Sequence, residues 1–308
     1  MLEFFSFISV FCTIFRSKSD VVFSFNPKTN LYALLSCSIL RKRCVPNVSG
    51  VGDADRLSGL VGWFYQIISK FVYSRAELVF FQNSEDLDRF VRLGIVKRNR
   101  CEVLPGSGVD LTRFYPKASE SGDKAVCFLL ACRLIKKKGV EEYLEAANLL
   151  AKDGLSARFL LAGVPDFSDR SIPIEHIQSY LIPGKVEFLG HVGDMASLLG
   201  EVDAVVLPST YAEGVPRSLL EGLASGKIIV TTNRPGCRET VIDNENGFVL
   251  ESTDVVDLYE VFKAVTELDS AKRTSMGLVS RKLAEEKFDE RLVISRYLSV
   301  AGSPCDLN

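Results

Sequence analysis

The stretch PSTYAEGVPRSLLEG, residues 208–222, directly follows the apolar run AVVL at 204–207 and determines how the whole chain is interpreted. Pro216 suits the first turn of a helix, because proline lacks an N–H group that this position would leave unpaired. The sequence therefore predicts a buried strand, a loop carrying Glu213 and Gly214, and a helix over 216–224. Open α/β sheets bind ligands at the carboxyl ends of their strands, so we expect this loop to face a ligand.

The residue types in this loop point to a sugar that carries a diphosphate. Backbone N–H groups around Arg217 and Ser218, together with the helix dipole, form an anion site. The carboxylates of Glu213 and Glu221 can accept hydrogen bonds from sugar or ribose hydroxyls. The alternative interpretation is a surface helix with two solvated glutamates.

A second loop, CRLIKKKG at 132–139, also follows an apolar strand and ends on a glycine that opens a helix. Arg133 offers a fixed guanidinium and Lys138 a flexible ammonium, a pair that suits a diphosphate whose charge grows as it leaves. Taken alone, such a lysine run is typical of a solvated turn. Its position at the same predicted sheet edge as the Glu213 loop favours the phosphate site.

Two further loops contribute candidate residues. The segment LPGSGVDLTRFYP at 104–116 contains Gly108, where a glycine lets the backbone approach a ligand. His191 ends another predicted strand, where it either contacts a nucleotide or caps the following turn.

Short apolar runs alternate with longer periodic segments, which is typical of parallel sheets with crossover helices. Strands are predicted at 21–25, 44–48, 78–81, 101–104, 125–132, 157–162, 186–189, 204–207, 228–231 and 248–250. Helices are predicted at about 31–40, 57–73, 84–93, 140–151, 195–199, 216–224, 255–267 and 290–300. A Pro/Ser/Gly-containing break at 115–123 predicts a domain boundary, which gives an N-terminal domain at 1–116 and a C-terminal domain at 117–289. The last helix, within 290–308, is expected to return to the N-terminal domain.

Composition excludes several classes of protein. The 308 residues carry 37 Lys+Arg against 39 Asp+Glu, so no global basic field indicates nucleic-acid binding. Only two histidines are present, and the eight cysteines show no C-x-x-C pair, so we expect no metal site and a reduced, cytoplasmic protein. No complete phosphate-binding P-loop, dinucleotide-binding glycine motif or hydrolase nucleophile elbow is present.

Charge and hydropathy are unevenly distributed. Residues 1–116 have a net charge of +5 and the remainder −7. The basic segment at 92–100 is either a solvated surface or a face for an anionic lipid headgroup or phosphate-bearing acceptor. Leu2, Phe5, Ile8, Cys12 and Phe15 fall on one predicted helical face. This helix is expected to be core or to lie on a membrane surface, since about 20 residues are needed to span one.

With these motifs, the chain resembles the retaining GT-B glycosyltransferases of family 4 from Asp20 onwards. The resemblance rests on SGVD-x3-F at 107–114, RL-x3-KG at 133–139 and Glu213-x7-Glu221, supported by GCRE at 236–239 and NGF at 246–248. NVSGVG at 47–52 is most similar to the bacterial subgroup that builds O-antigen, capsule or other lipid-linked glycans. The implied fold is α/β, with two Rossmann-like domains facing a cleft.

The resemblance also implies roles for individual residues. Arg133 and Lys138 neutralise the donor's phosphates, and Glu221 holds the ribose. Glu213, acting catalytically, and the backbone of Gly214, Val215, Pro216 and Arg217 orient the sugar. Gly108 and His191 lie on the donor side, and Ser49, Gly50 and Gly52 on the acceptor side.

The implied reaction moves a hexosyl or N-acetylhexosaminyl group from a nucleotide sugar, with UDP-sugar favoured, to a lipid-linked saccharide, and needs no metal or other cofactor. The implied setting is the cytoplasmic face of the inner membrane, with peripheral contact to anionic lipid. Two departures stand out: no histidine occupies the loop at 49–52, and the family's first βα units have no counterpart before Asp20. The sequence therefore predicts an incomplete N-terminal domain, and a catalytically inactive nucleotide-binding protein is the alternative function; a phosphorylase is a more distant one.

Overall fold

Two parallel β-sheets flanked by helices make up the protein in a computed structural model, which describes residues 2–50, 59–117, 125–166 and 170–302. Contacts divide the chain into two compact units. Unit 1 consists of Met1–Ser107, Ala212–Val215 and Arg291–Asn308, and unit 2 of Gly108–Tyr211 and Pro216–Glu290.

Unit 1 contains a four-stranded parallel sheet in the order β1-β2-β3-β4. Its elements are α1 (Leu2–Arg16), β1 (Val21–Phe25), α2 (Pro27–Leu40), β2 (Arg43–Val48), α3 (Gly59–Tyr73), β3 (Val79–Phe81), α4 (Ser84–Arg92) and β4 (Cys101–Val103), with α11 (Glu290–Gly302) at the chain's far end. Strand β1 pairs only with β2 among the described residues, so it forms an edge of the sheet.

Side chains alternate across the strands of unit 1 and create two cores. Cys44 and Phe81 point to the side where α1 to α4 pack, and Val45 and Phe80 point to the side where α11 packs. On the α11 side, the Tyr297 ring lies 5.0 Å from that of Phe80. The four helices that alternate with the strands therefore form one layer, and α11 covers the opposite face of the sheet.

The first of the two expectations for α1, that this apolar face is core, is wrong. Phe5, Ile8 and Phe15 are exposed, whereas Ile14 is buried and Val10 packs against the same core. Cys12 is half-buried, and the side chain of Leu2 lies outside the described part of the structure. The apolar side of α1 is wider than the part that packs, so the spacing of its apolar residues could not select which of them are buried.

Unit 2 contains a six-stranded parallel sheet in the order β10-β9-β8-β5-β6-β7. Its elements are β5 (Val126–Ala131), α5 (Val140–Lys152), β6 (Ala157–Ala162), α6 (Ile174–Gln178), β7 (Val186–Gly190), α7 (Met195–Leu199), β8 (Ala204–Leu207), α8 (Arg217–Ala224), β9 (Ile228–Thr232), β10 (Gly247–Leu250), α9 (Val255–Glu267) and α10 (Ser270–Lys287).

The core of unit 2 is rich in aromatic rings. Phe159 stacks on Phe128 with a centroid distance of 4.9 Å and lies 5.0 Å from Phe262 of α9. The buried Tyr143 hydroxyl lies 3.2 Å from both the Phe128 and the Leu160 carbonyl oxygens, so its polar atom has a partner inside the apolar core. Strands buried on both faces read as continuous apolar runs, which explains why β5, β6 and β8 stand out in the sequence.

All ten predicted strands are confirmed within two residues at either end, and so are most of the predicted helices. The sequence failed to predict α6 and α10. Apart from Met276, helix α10 buries only small residues rather than an apolar stripe, and a Cβ on its Gly277 would lie 2.4 Å from the Gly226 carbonyl oxygen. Residues 118–124, within the predicted domain boundary, lie outside the described residues.

Candidate functional site

The loops after β5 and β8 meet at the carboxyl edge of the sheet in unit 2. Thr210 N donates a 2.8 Å hydrogen bond to the Lys137 carbonyl oxygen. Gly139, with φ 73°, passes so close to the β8 loop that a Cβ there would lie 2.4 Å from the Pro208 carbonyl oxygen. Only glycine fits this position. It brings the loop at 132–139, the predicted phosphate loop, against the first residues of the loop at 208–215, the predicted sugar loop.

The two predicted phosphate-binding cations have different surroundings. Lys138 is only 8% exposed, and its ammonium lies 5.9 Å from the centroid of the Tyr211 ring. The Arg133 side chain is 53% exposed and forms a 3.0 Å ion pair with Asp166. Burial strengthens the field of the Lys138 ammonium, whereas Arg133 is paired at the surface with the carboxylate of Asp166.

Glu221 lies on α8, with its side chain 13% exposed. Its Oε1 accepts a 2.9 Å hydrogen bond from Arg217 Nε. Burial raises the pKa of the Glu221 carboxyl, and the nearby guanidinium of Arg217 and that of Arg113 oppose the rise. Since Arg217 contacts one oxygen, the other can accept a hydrogen bond from a hydroxyl of a ligand.

Pro216 is the N-cap residue of α8, which begins at Arg217, one residue later than the sequence predicts. The first-turn N–H groups of an α-helix have no intrahelical partner, so those of Arg217 and Ser218 suit an anion. Strand β8, the loop and the start of α8 thus have the predicted local order.

His191 and Gly108 are placed less directly. His191 is exposed after β7, an edge strand of the sheet. Asp194 caps the next helix by accepting a hydrogen bond from Ser197 N, so capping does not account for His191. Gly108, with φ 72°, packs against the start of α11, where a Cβ would lie 2.4 Å from Glu290 Cα. Packing alone therefore requires glycine at position 108.

Residues 212–215 of the sugar loop belong to unit 1. There they contact Gly50, which lies in the loop predicted to face the acceptor. Gly50 has φ 93°, and a Cβ there would lie 2.6 Å from Gly214 N. The Gln82 side-chain oxygen accepts a 3.2 Å hydrogen bond from Val215 N. The structure thus brings Gly50 together with Gly214 and Val215, which lie far from Gly50 in the sequence.

Sequence reasoning missed Gln82 and Asn83, which directly follow β3. Asn83 caps α4 by accepting a hydrogen bond from Asp86 N, and its amide lies 3.5 Å from the Glu213 carbonyl oxygen. The rule that ligand loops follow strand ends could have found both. Ser49 donates a 3.2 Å hydrogen bond to the Asn26 side chain, and Gly52 lies outside the described residues.

Within the part of the chain that the structure describes, no cluster of three or more His, Cys, Asp or Glu side chains is arranged to hold a metal ion. None of the helices in that part combines the length and the apolar character needed to cross a bilayer.

The profile of the family described as "Glycosyl transferases group 1" matches residues 112–282. The chain is 30% identical to the N,N'-diacetylbacillosaminyl-diphospho-undecaprenol alpha-1,3-N-acetylgalactosaminyltransferase of Campylobacter jejuni, over 82% of this chain and 68% of that protein. It is 23% identical to the UDP-Gal:alpha-D-GlcNAc-diphosphoundecaprenol alpha-1,3-galactosyltransferase of Escherichia coli, over 85% of this chain and 70% of that protein.

Among solved structures, Anabaena Alr3699/HepE in complex with UDP and glucose superposes with a TM-score of 0.79. The sequence identity is 18%, and the alignment covers 97% of this chain and 81% of that chain. A likeness at this identity establishes the fold. The chain therefore belongs to the glycosyl transferases group 1 family and has the GT-B fold.

Proposed function

We propose that this protein transfers a hexosyl or N-acetylhexosaminyl residue from a nucleotide-diphospho sugar to a lipid-linked saccharide during surface polysaccharide biosynthesis. UDP-sugar is the favoured donor, and the anomeric configuration is retained, as in family 4. The choice of acceptor is supported by the relatives in Campylobacter jejuni and Escherichia coli, whose names each include a diphospho-undecaprenol acceptor.

The observation that carries the proposal is the junction of the β5 and β8 loops, with Lys138 buried beside Tyr211. The buried Lys138 ammonium, two residues before the start of α5, is preorganised to stabilise negative charge as it develops on a leaving diphosphate. Arg133, once released from Asp166, adds a second positive charge. We propose that these two cations do the work that a metal ion does in other transferases.

The carboxylates have separate roles in this proposal. Glu221, buried and contacted by Arg217, holds the ribose hydroxyls through its second oxygen. Glu213 and the Gly214–Arg217 backbone orient the sugar, and Gly108 and His191 belong to the donor side. Ser49, Gly50 and Gly52 serve the acceptor side.

The acceptor places the reaction at a membrane. We propose that the protein works at the cytoplasmic face of the inner membrane, in peripheral contact with anionic lipid. The net charge of +5 over residues 1–116 supports this location.

The test compares two neighbouring lysines. Lys138→Ala should weaken UDP binding about tenfold or more, since a hydrogen bond to a charged group contributes about 1.5–3 kcal/mol. Lys136→Ala, an exposed lysine in the same turn, is the matched control and should bind UDP normally. Calorimetry gives the affinities. Equal losses in both variants, or no UDP binding by the unmodified chain, would contradict the proposal.

A further inference from the structure

Helix α3 presents an apolar face to solvent. Trp63, Phe64, Ile67, Ile68 and Phe71 are all exposed, Trp63 to 55%. Their spacing places them along one side of the helix, while Val72 and Tyr73 on the other side are buried in the unit 1 core. The exposed face of α3 is thus more aromatic than an ordinary solvated helix surface.

Helix α1 continues this surface in the same layer. It packs against α2, which in turn packs against α3. Phe4, Phe5, Ile8 and Phe15 of α1 are exposed, as is Ile39 of α2. Isolated exposed apolar side chains are normal, but a cluster of this size marks an interaction surface.

Basic side chains gather at the C-terminal end of the α3 face. The Arg75 guanidinium lies 3.7 Å from the Phe71 ring centroid, and Arg100 Nη1 donates a 3.2 Å hydrogen bond to the Ser74 carbonyl oxygen. The Lys70 side chain reaches the turn at Gly94. Helix α3 contains no Asp or Glu.

These charges indicate what covers the surface. A second copy of the chain, packed by the same face around a two-fold axis, would add further cations to the contact and, from α3, no carboxylate to pair with them. The plane of an anionic bilayer matches both features, because headgroups pair with the cations and acyl chains receive the aromatic rings.

We infer that unit 1 docks on anionic membranes by inserting the apolar faces of α3 and α1 at the lipid interface, with Lys70, Arg75 and Arg100 on the headgroups. This inference rests on the proposed membrane-bound reaction and specifies the surface responsible. It also agrees with the second of the two predictions for α1, that this helix lies on a membrane surface.

Trp63 is the only tryptophan of the chain, so its fluorescence reports on this surface in the unmodified protein. The protein is mixed with vesicles of phosphatidylglycerol and phosphatidylcholine, or of phosphatidylcholine alone. We expect a blue shift of Trp63 emission and quenching by brominated acyl chains with the anionic vesicles. The shift should decrease as salt is raised, because salt screens the headgroup attraction.

Phe64→Ser/Ile68→Ser should reduce partitioning onto anionic vesicles by about tenfold or more, given the apolar area withdrawn from the lipid. The matched control is Leu292→Ser/Leu298→Ser, which removes two exposed leucines from α11 on the opposite side of the sheet. The control should partition like the unmodified protein.

The inference is overturned by vesicle binding without a change in Trp63 emission, by equal losses in both double variants, or by Trp63 burial through self-association, seen by sedimentation velocity without lipid. UDP affinity, measured in parallel, separates this result from the proposed function. Normal UDP binding with no effect of lipid on Trp63 refutes only the docking surface, whereas Trp63 insertion without UDP binding refutes only the donor assignment.

Discussion

Units 1 and 2 share an architecture but differ in where their buried hydrogen bonds and their exposed aromatic side chains lie. In unit 2, buried hydroxyls have carbonyl partners: Thr231 Oγ1 donates to Leu207 O at 2.7 Å and Thr232 Oγ1 to Ser209 O at 2.6 Å. In unit 1, the buried side-chain oxygens of Asn30 and Asn47 have no hydrogen-bond partner, while Trp63 and its neighbours face solvent.

This difference separates two tasks. Unit 2 packs aromatic rings in its core and pairs the hydroxyls of Thr231 and Thr232 with carbonyl oxygens, although one carboxylate oxygen each of Glu142 and Glu239 has no partner. A largely satisfied core suits a rigid support for the diphosphate site proposed above. Unit 1 leaves aromatic rings outside and buried polar atoms unpaired, features that cost stability and suit a surface that binds something else.

The sharpest test of the contrast removes one ring from each unit. Phe159→Ala in the unit 2 core should lower the free energy of unfolding by about 3–5 kcal/mol, since it leaves a cavity among packed rings. Phe64→Ala on α3 should change it by no more than about 0.5 kcal/mol, as for surface substitutions generally. Urea unfolding followed by circular dichroism measures both. A large loss for Phe64→Ala would mean that its ring supports the fold.

The second test separates the two glutamates. Glu221→Ala should weaken UDP binding by one to two decades, because it removes hydrogen bonds to a carboxylate contributing about 1.5–3 kcal/mol. Glu213→Ala should lower turnover by a similar factor with little effect on UDP affinity. Calorimetry and initial rates distinguish the two. Equal losses of UDP affinity would remove the division of roles.

A smaller effect is expected at Gln82, which holds Val215 N in unit 1. Gln82→Ala should reduce turnover about two- to tenfold, consistent with a hydrogen bond contributing about 0.5–1.5 kcal/mol. UDP affinity should not change. Gln82→Glu keeps an acceptor oxygen and should restore most of the rate. If Gln82→Glu is as slow as Gln82→Ala, the hydrogen bond is not the cause.

The smallest effect concerns pH. Because burial raises the pKa of Glu221, its carboxylate takes up a proton at a higher pH than an ordinary glutamate, whose pKa is 4.5. UDP affinity should therefore begin to fall, as the solution is acidified, while the pH is still above 4.5. Titration calorimetry across mildly acidic pH checks this, with Glu221→Gln as a control whose affinity should lack this component. An identical pH profile for both proteins would contradict it.

Much of the fold could be predicted from the sequence because buried parallel strands are continuous apolar runs. Strands β6 and β8 and helix α9 have the predicted bounds. Helix α10 could not be found this way, because its buried residues include Gly277 and Ser280, which leave no apolar stripe. The buried residues of α1 could not be selected either, because the apolar side of this helix is wider than the part that packs.

The candidate site likewise has a part that could be predicted and a part that could not. The loops after β5 and β8 and the start of α8 could be predicted, because each lies within a short stretch of sequence. The contact of Gly50 with Gly214, the role of Gln82 and the pairing of Arg133 with Asp166 depend on how distant loops meet. The periodicity and spacing of residues along the sequence do not show which distant loops come into contact.

The contact at Gly50 limits how this protein can diverge. A methyl group there would meet backbone atoms of residues 212–214 at 2.8 Å or less, so no change of a neighbouring side chain could make room for it. The restriction is steric and does not depend on the sugar transferred. Descendants that acquire a new donor or acceptor should therefore vary around this position while keeping the glycine itself.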